Sequence, residues 1–311
     1  MHQIKKVAVV GGGLVGSGWA IVFARAGLDV AVYDQNPAIR DVVLGRIRAS
    51  LVDMQAAGLV DDVDGILSHI SVSPDLATAV GGADYVQESV LERQDVKRAV
   101  SLEIDAVMSP DCVVGSSSSG IPASAFTEGC VHRGRFLVAH PVNPPHLIPL
   151  VELVPAPWTD PAILPWLRAE MERIGQAPIV VSAEVEGFIL NRLQGALLNE
   201  AWALFEEGYV SAADIDLTVA KGLGYRWSFM GPFETIDLNA PGGIADYAQR
   251  LGPLYHSIAA SRTEPKPWSP DLIAKAAAER RDILPQDQLG ERSAWRDRKL
   301  MSLIRHKQND E

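Results

Sequence analysis

The run Phe136-Leu-Val-Ala-His140-Pro-Val-Asn143-Pro-Pro145 places an imidazole where an apolar strand gives way to a proline-fixed loop. An imidazole titrates near neutrality, so at a strand end it can take the proton of a hydroxyl group and return it. If the chain folds back through Pro144–Pro149, the run Leu150-Val-Glu152-Leu-Val154 brings a carboxylate to the ring. Such a carboxylate fixes one tautomer and offsets the positive charge the ring acquires. The same residues allow a plainer reading, with His140 satisfied by backbone and Glu152 a strand-end surface charge.

A second constellation lies at the start of the chain. Gly11-Gly12-Gly13-Leu14-Val15-Gly16 follows an apolar run and opens a helical pattern that ends near Gly27. In a strand-turn-helix setting, Gly11 permits the tight turn, Gly13 lets a pyrophosphate approach the backbone, and Gly16 lets the helix sit close on the sheet. Leu14 and Val15 open that helix, whose N-terminal dipole faces the phosphates, and are counted with the cofactor site. The next strand ends at Asp34, where a carboxylate can accept hydrogen bonds from the adenosine ribose. An acid there repels a 2′-phosphate, and no arginine follows immediately, so the pattern favours NAD over NADP. The alternative is that the glycines only shape a turn and Asp34 caps the next loop; order and spacing together favour the nucleotide.

The elements that must position these residues alternate. Strands are expected at Lys5–Val10, Asp29–Tyr33, His69–Val72, Tyr85–Gln87, Cys112–Gly115, Phe136–Ala139, Leu150–Val154 and Ile179–Val181, with helices such as Arg40–Ala57 and Gln94–Met108 between them. That rhythm predicts an α/β fold with a wound, mostly parallel sheet. After about residue 186 the alternation stops. Phe188–Glu207 has apolar residues at helical spacing, Ser211 is an N-cap candidate for a segment through Lys221, and Pro270–Arg281 and Ser293–His306 share the period. Thr263–Pro270, with three prolines, reads as a connecting loop. The expected division is a Rossmann-type domain over 1–184 and a helical substrate and dimerisation domain over 185–311, with Phe188–Glu207 at the core of a homodimer interface.

Composition narrows the function classes. The 311 residues are 47% hydrophobic and 22% charged, ordinary for a globular enzyme. A formal net charge of −11 disfavours nucleic acid or an anionic membrane as partner, since both need a basic face. Only Cys112 and Cys130 are present, without CxxC spacing, so neither a disulfide framework nor a metal site is expected and a reducing cytoplasm fits best. No leader opens the chain and no run is apolar for the ~20 residues a membrane span requires, so a soluble protein is expected.

The glycine motif, His140-Pro-Val-Asn143-Pro, Glu152 and Gly187-Phe-Ile-Leu-Asn191-Arg192 come in the order of the 3-hydroxyacyl-CoA dehydrogenase family, which the chain resembles over nearly its whole length. Within it the resemblance is strongest to the lambda-crystallin and L-gulonate 3-dehydrogenase branch. It rests on His140 through Pro155, on Gly222-Leu-Gly-Tyr-Arg226-Trp, and on Ala294-Trp-Arg-Asp297. The resemblance implies an NAD-dependent oxidation of a 3-hydroxyl with His140 as base and Glu152 as its partner. Ser119, in Ser116-Ser-Ser-Ser119, would hydrogen-bond the substrate oxygen, and Asn191 would hold the substrate beside it. Asn143 would support the nicotinamide side. Glu92 and Lys97 would be the cofactor-side acid and lysine, although Lys97 reads equally well as a solvated helix charge.

The residues also bear on the substrate. An acyl-CoA enzyme offers cations to the CoA phosphates, yet Gln35–Ser73 contains only Arg40, Arg46 and Arg48 against Asp41, Asp53, Asp61, Asp62 and Asp64. The glycine- and aromatic-rich closing motif of the acyl-CoA enzymes is replaced by a charged tail ending at Glu311. A small free 3-hydroxy acid is therefore expected, with a short-chain 3-hydroxyacyl-CoA as the alternative. Arg226 is the expected carboxylate anchor, unless it pairs with an acid such as Asp237. Trp227 reads either as a packing tryptophan or as a cation–π wall for a quaternary ammonium such as L-carnitine. A non-catalytic, crystallin-like NAD-binding protein is the remaining reading.

Overall fold

The structure, a computed structural model, describes every residue except 263, 265 and 311, and the backbone alone at 309 and 310. The described chain divides into two compact units, Met1–Gln194 with Ser293–Glu311, and Gly195–Arg292.

The first unit is built on one eight-stranded sheet: β1 (Lys6–Val10), β2 (Asp29–Tyr33), β3 (Ile70–Val72), β4 (Tyr85–Glu88), β5 (Val113–Ser116), β6 (Phe136–Pro141), β7 (Leu150–Pro155) and β8 (Ala177–Val180). Their order across the sheet is β3-β2-β1-β4-β5-β6-β7-β8. The first six run parallel, and β7 turns back antiparallel to β6 with β8 parallel to β7. Residues of β4, β5 and β6 are buried at every position, as expected of strands covered on both faces.

Helices cover the sheet for reasons visible in their residues. α1 (Leu14–Arg25) is buried from Gly16 to Ala24, and its Trp19 and Phe23 stack at 5.3 Å, with Phe23 edge-on to Tyr85 of β4 at 5.9 Å. α2 (Pro37–Ala56) starts where the Asn36 side chain accepts from the Ala38 N–H and Pro37 fills the first helical position. It buries Val43, Ile47, Leu51 and Met54, one stripe at helical spacing. α3 (Gln94–Val107) buries Lys97, Ser101, Ile104 and Asp105, so its inner face carries polar groups. α4 (Ile163–Arg173) packs through Ile163, Leu167 and Met171.

After the sheet come α5 (Leu190–Glu206), α6 (Gly243–Ala260), α7 (Pro270–Ile283) and α8 (Leu289–Asp310), with shorter helical pieces between α5 and α6. Ser211 caps the Ala212–Thr218 helix by accepting from the Asp214 N–H, as the sequence suggests, and a π-turn over Val219–Leu223 leads into Gly224–Trp227. Of the expected 263–270 loop, residues 263 and 265 lie outside the described residues, as does Glu311 of the charged tail.

Two expectations need correction. The helix read from Phe188 begins only at Leu190, because Gly187 (φ 76°) and Phe188 (φ 50°) are left-handed. The last helix does not stay with residues 195–292. Met301 is buried in the core of the first unit, with Leu300 and Ile304 packed against that core. The apolar stripe of that helix thus completes the sheet unit.

Candidate active site

The glycine turn sits where the sheet order reverses, between β1 and β4. Gly11 has φ 105°, and a Cβ there would lie 2.5 Å from the Ser89 carbonyl oxygen beyond β4, so only glycine fits. A Cβ at Gly16 would overlap the Gly11 carbonyl oxygen and press on Val9 of β1, which is the close helix–sheet approach the spacing predicts. Gly13 differs: its Cβ would meet nothing within 4 Å. Gly13 N-caps α1 without a side-chain hydrogen bond, leaving the first-turn amides at Leu14, Val15 and Gly16 for an anion.

Asp34 follows β2 and is held beside this turn. Its carboxylate accepts from the Gly12 N–H at 2.8 Å and from the Asn36 N–H at 2.9 Å, so the loop-capping role is present as well. The open space over Gly13, the free amides and a fixed acid at the second strand fit a dinucleotide with a ribose 2′-hydroxyl.

Across the β6–β7 pair, His140 stands directly opposite Glu152. Their side chains meet, His140 Nδ1 to Glu152 Oε2 at 2.7 Å, and both are buried. The carboxylate accepts, so Nδ1 carries the proton and Nε2, which makes no hydrogen bond among the described residues, keeps its lone pair. The second oxygen, Oε1, accepts from the Ile189 and Leu190 N–H groups at 2.9 and 3.0 Å, at the N-terminus of α5. Burial alone pushes the Glu152 pKa up. Hydrogen bonds from His140 and from the Leu190 and Ile189 amides outweigh it and leave the carboxyl below the usual range. The surface-charge reading of Glu152 is thereby excluded.

The serine loop is fixed from the other side. Glu92 Oε1 accepts from the Ser118 hydroxyl at 2.8 Å and from the Ser119 and Gly120 amides at 2.9 and 3.1 Å. Burial raises the Glu92 pKa, and the Lys97 charge together with these hydrogen bonds lowers it further than burial raises it. Asn191 Nδ2 donates to the Ser119 carbonyl at 2.5 Å. The segment 189–191 therefore touches both the partner of His140 and the Ser119 loop, which brings the four expected catalytic residues to one end of the sheet. The exposed Ser119 hydroxyl makes no hydrogen bond among the described residues.

Lys97 is not the solvated charge that its helix suggested. Its Nζ lies 3.1 Å from each oxygen of Glu88, 3.4 Å from the Ser116 hydroxyl and 3.5 Å from Glu92, with under 2% of the side chain exposed. Glu88 ends β4 and faces Ser116 across the β4–β5 pair. Asn143 is exposed in the loop after β6, joined to Pro144 by a cis bond.

Arg226 lies in the Gly224–Trp227 helix and makes no ion pair among the described residues. Asp237, its possible partner, instead accepts from the Ile244 N–H at 2.7 Å. Trp227 is 41% exposed, so the packing role weighed for it is corrected. Both cysteines are free and buried, and burial pushes each thiol up to about 12, which removes them as nucleophiles at neutral pH. Among the described residues no cluster of acidic, histidine or cysteine side chains could hold a metal ion.

Sequence reasoning missed Phe188 and Glu88. Phe188 is fully buried, its ring 5.8 Å from that of His140, and its left-handed backbone turns the next two amides onto Glu152. The signal available was Gly187 beside it; a second left-handed residue that is not glycine has no signature of its own.

A glycine-cradled dinucleotide site and an acid-braced histidine on one wound sheet define a dinucleotide-dependent dehydrogenase. Residues 6–185 match the model of the 3-hydroxyacyl-CoA dehydrogenase NAD-binding domain, and residues 187–282 match that of its C-terminal domain. The chain belongs to the 3-hydroxyacyl-CoA dehydrogenase family, NAD-dependent enzymes acting on a CH–OH group. It is 40% identical over 306 residues to lambda-crystallin of Oryctolagus cuniculus, covering 97% of this chain and 96% of the relative. It is 36% identical to L-carnitine dehydrogenase of Streptomyces coelicolor, covering 81% of this chain and 79% of that one. Among solved structures it resembles 5-formyl-3-hydroxy-2-methylpyridine 4-carboxylic acid 5-dehydrogenase, an NAD+-dependent dismutase. The TM-score is 0.85 at 29% identity, covering 97% of this chain and 98% of that one.

Proposed function

We propose that this dehydrogenase oxidises the 3-hydroxyl of a small free 3-hydroxy acid to the 3-keto acid, in the manner of an L-gulonate 3-dehydrogenase. The observation that carries the chemistry is the 2.7 Å contact of His140 Nδ1 with Glu152, which leaves Nε2 as the proton acceptor. In this reading Nε2 takes the hydroxyl proton and Glu152 offsets the charge on the ring. The free Ser119 hydroxyl orients the substrate oxygen, and Asn191 fixes the serine loop and the substrate beside it. NAD, which accepts the hydride, would be held by Gly11, Gly13, Leu14, Val15, Gly16 and Asp34. Glu92 and Asn143 would lie on its nicotinamide side, with Lys97 acting there through Glu92.

The free acid is favoured over the thioester by the fate of the three arginines after β2. Arg40 donates to the Asp34 carbonyl at 2.6 Å, Arg46 to the Gly12 carbonyl at 2.8 Å, and Arg48 pairs with Asp64 at 2.9 Å. None is left unengaged for CoA phosphates. Arg226, by contrast, has no carboxylate partner among the described residues, and a guanidinium can grip a substrate carboxylate with two parallel bonds. The relatives named for L-carnitine and for a pyridine carboxylic acid support a carboxylate-bearing substrate. The exposure of Trp227 beside Arg226 favours L-carnitine as a second reading, since an open indole face can meet a quaternary ammonium.

NADH formation should be measured with L-gulonate, 3-hydroxybutyrate, 3-hydroxypropionate, L-carnitine and 3-hydroxybutyryl-CoA. Turnover of a free acid is expected, with Arg226→Met raising its KM about tenfold or more. Turnover of the thioester alone overturns the reading, as does NAD binding with no turnover of any substrate.

A homodimer fits the apolar face of α5, where Phe205 is the one buried residue and Leu193 is 61% exposed with Leu197 a turn later. Sedimentation velocity tests it, and a monomer at micromolar concentration would refute it. No helix among the described residues is long and apolar enough to cross a membrane. The two free cysteines fit a cytoplasmic site of action.

A further inference from the structure

The first unit carries an open pocket of about 470 Å3 between the end of α1, the Pro145–Pro149 loop, the turn at Gly175–Gln176 and α8. Neither the glycine turn nor His140 lines it. Its walls are largely apolar, formed by Leu59, Leu147, Leu300 and Ile304 among others, and a space of this size suits a small organic ligand.

Its charged groups share one sign. Among the described residues Arg25 and Lys307 are the charged ones that line it and no acidic side chain does, in a chain of net charge −11. Among the described residues the Arg25 guanidinium has no hydrogen-bond or ion-pair partner. It is partly open to water and partly packed against protein, and that packing lowers its pKa with no carboxylate opposing the shift. The acid felt at neighbouring His146 is Asp297, which is engaged by Arg296 at 2.8 Å. Burial first, and the Arg25 charge second, hold His146 down to about 4, so it is neutral at pH 7.

Two buried polar atoms of the lining are also without partners, His146 Nδ1 and Gln176 Oε1, and Gln176 is only 7% exposed. Of these, His146 Nδ1 packs against α1, 3.2 Å from where a Cβ on Gly18 would stand, and both atoms are acceptors, so neither competes with the cations for an anion.

We infer that this pocket binds an anionic amphiphile, a small molecule with one anionic head and an apolar tail. Arg25 and Lys307 hold the head. The tail lies against the apolar side of α8 at Leu300, Leu303 and Ile304 and so ties that helix to the sheet unit. Head and tail are both required, because the cations are open to water and the apolar walls alone are unselective.

The test is isothermal titration calorimetry of the full chain saturated with NADH, using octanoate, 1-octanol and acetate as probes. Octanoate should bind, with the alcohol and acetate each at least tenfold weaker. Arg25→Gln should weaken octanoate at least tenfold. Leu303→Glu, at a side chain 38% exposed and therefore tolerant of a charge, should do the same by placing a carboxylate at the rim. Turnover of the 3-hydroxy acid should be unchanged in both variants. The inference is overturned by octanol binding as tightly as octanoate, by an octanoate affinity that neither variant changes, or by the absence of octanoate binding.

Discussion

Two buried pairs of an acid and a base lie in the sheet unit, Glu88 with Lys97 at the end of β4 and His140 with Glu152 across β6 and β7, and only one of them has an unused atom. Lys97 spends its donors on Glu88, Ser116 and Glu92 inside the sheet unit. His140 spends Nδ1 on Glu152 and leaves Nε2 without a partner among the described residues. The lysine pair is a closed charge system; the histidine pair is open at one end. Burial and pairing therefore do not by themselves mark a reactive group. What distinguishes the second pair is an unclaimed lone pair that can reach a ligand, with the rest of the ring immobilised.

The largest expected effect separates the two pairs directly. His140→Gln removes the proton acceptor, and kcat should fall about 10³-fold, within the range typical of general bases. Glu152 keeps its two amide donors, so the variant should still fold and bind NADH. NADH formation with the best substrate measures the first statement, and a fluorescence titration with NADH the second. A kcat within tenfold of the parent would remove His140 from the chemistry.

Lys97→Met tests the closed pair and should act on stability. It strands the Glu88 carboxylate in the sheet, and losing one partner of a buried ion pair costs about 3–5 kcal/mol. Urea unfolding measures it. The double variant Glu88→Gln with Lys97→Met should recover most of that loss, since no buried charge is then left unpaired. If Lys97→Met were as stable as the parent while losing NAD affinity, Lys97 would belong to the open kind of site.

Much of this arrangement is legible in the residues. Runs such as Val7-Ala-Val-Val10 and Val113-Val-Gly-Ser116 are apolar where strands are covered on both faces, so the strand expectations fall within about two residues of the structure. The His140–Glu152 meeting was readable because the prolines at 144, 145 and 149 force a return, and a return sets two strands antiparallel. α4 and α6 were not foreseen. α6 begins at Gly243 and runs through Gly252 and Pro253, residues that ordinarily interrupt a helix, with its Ile244, Leu254 and Ile258 substantially exposed. Lys97 stays open between a cofactor-side lysine and a solvated charge for a different reason. Its burial is decided by an acid on the neighbouring strand, and nothing local in α3 shows it. The return of the last helix to the sheet unit is likewise a tertiary fact, because its stripe of Leu300, Met301 and Ile304 fits any apolar partner surface.

Glu152→Gln asks how much of the open pair depends on its acid. The carboxylate serves three donors, His140 on one oxygen and two amides on the other. Glutamine has one acceptor oxygen, so it must abandon either the ring or the helix end. A loss of about 10²-fold in kcat is expected, smaller than for removal of the base itself. The pH dependence of stability carries a second signature. The folded carboxyl lies below the unfolded value of ~4.3, so its contribution is complete above that value and disappears as pH falls through the folded pKa. Urea unfolding should show the parent more stable than Glu152→Gln at pH 7, with the gap closing below pH ~4. A gap independent of pH would mean that shape alone, and not the charge, holds the pair together.

The smallest structural effect is expected at the glycine turn, where two glycines differ as the two pairs do. Gly11 is closed, with a left-handed backbone and the Ser89 carbonyl in the way of any Cβ, so Gly11→Ala should disrupt the turn itself. Gly13 is open: its backbone (φ −68°) suits any residue, and nothing within 4 Å awaits a Cβ. Gly13→Ala should therefore change stability by no more than about 0.5 kcal/mol, as surface substitutions do. The added methyl would instead stand where the pyrophosphate approaches the backbone. Thermal unfolding without ligand should match the parent, while the Kd for NADH should rise several-fold. An unchanged Kd would place the phosphates elsewhere on the turn; an unstable protein would show that the gap over Gly13 belongs to the fold and not to the cofactor.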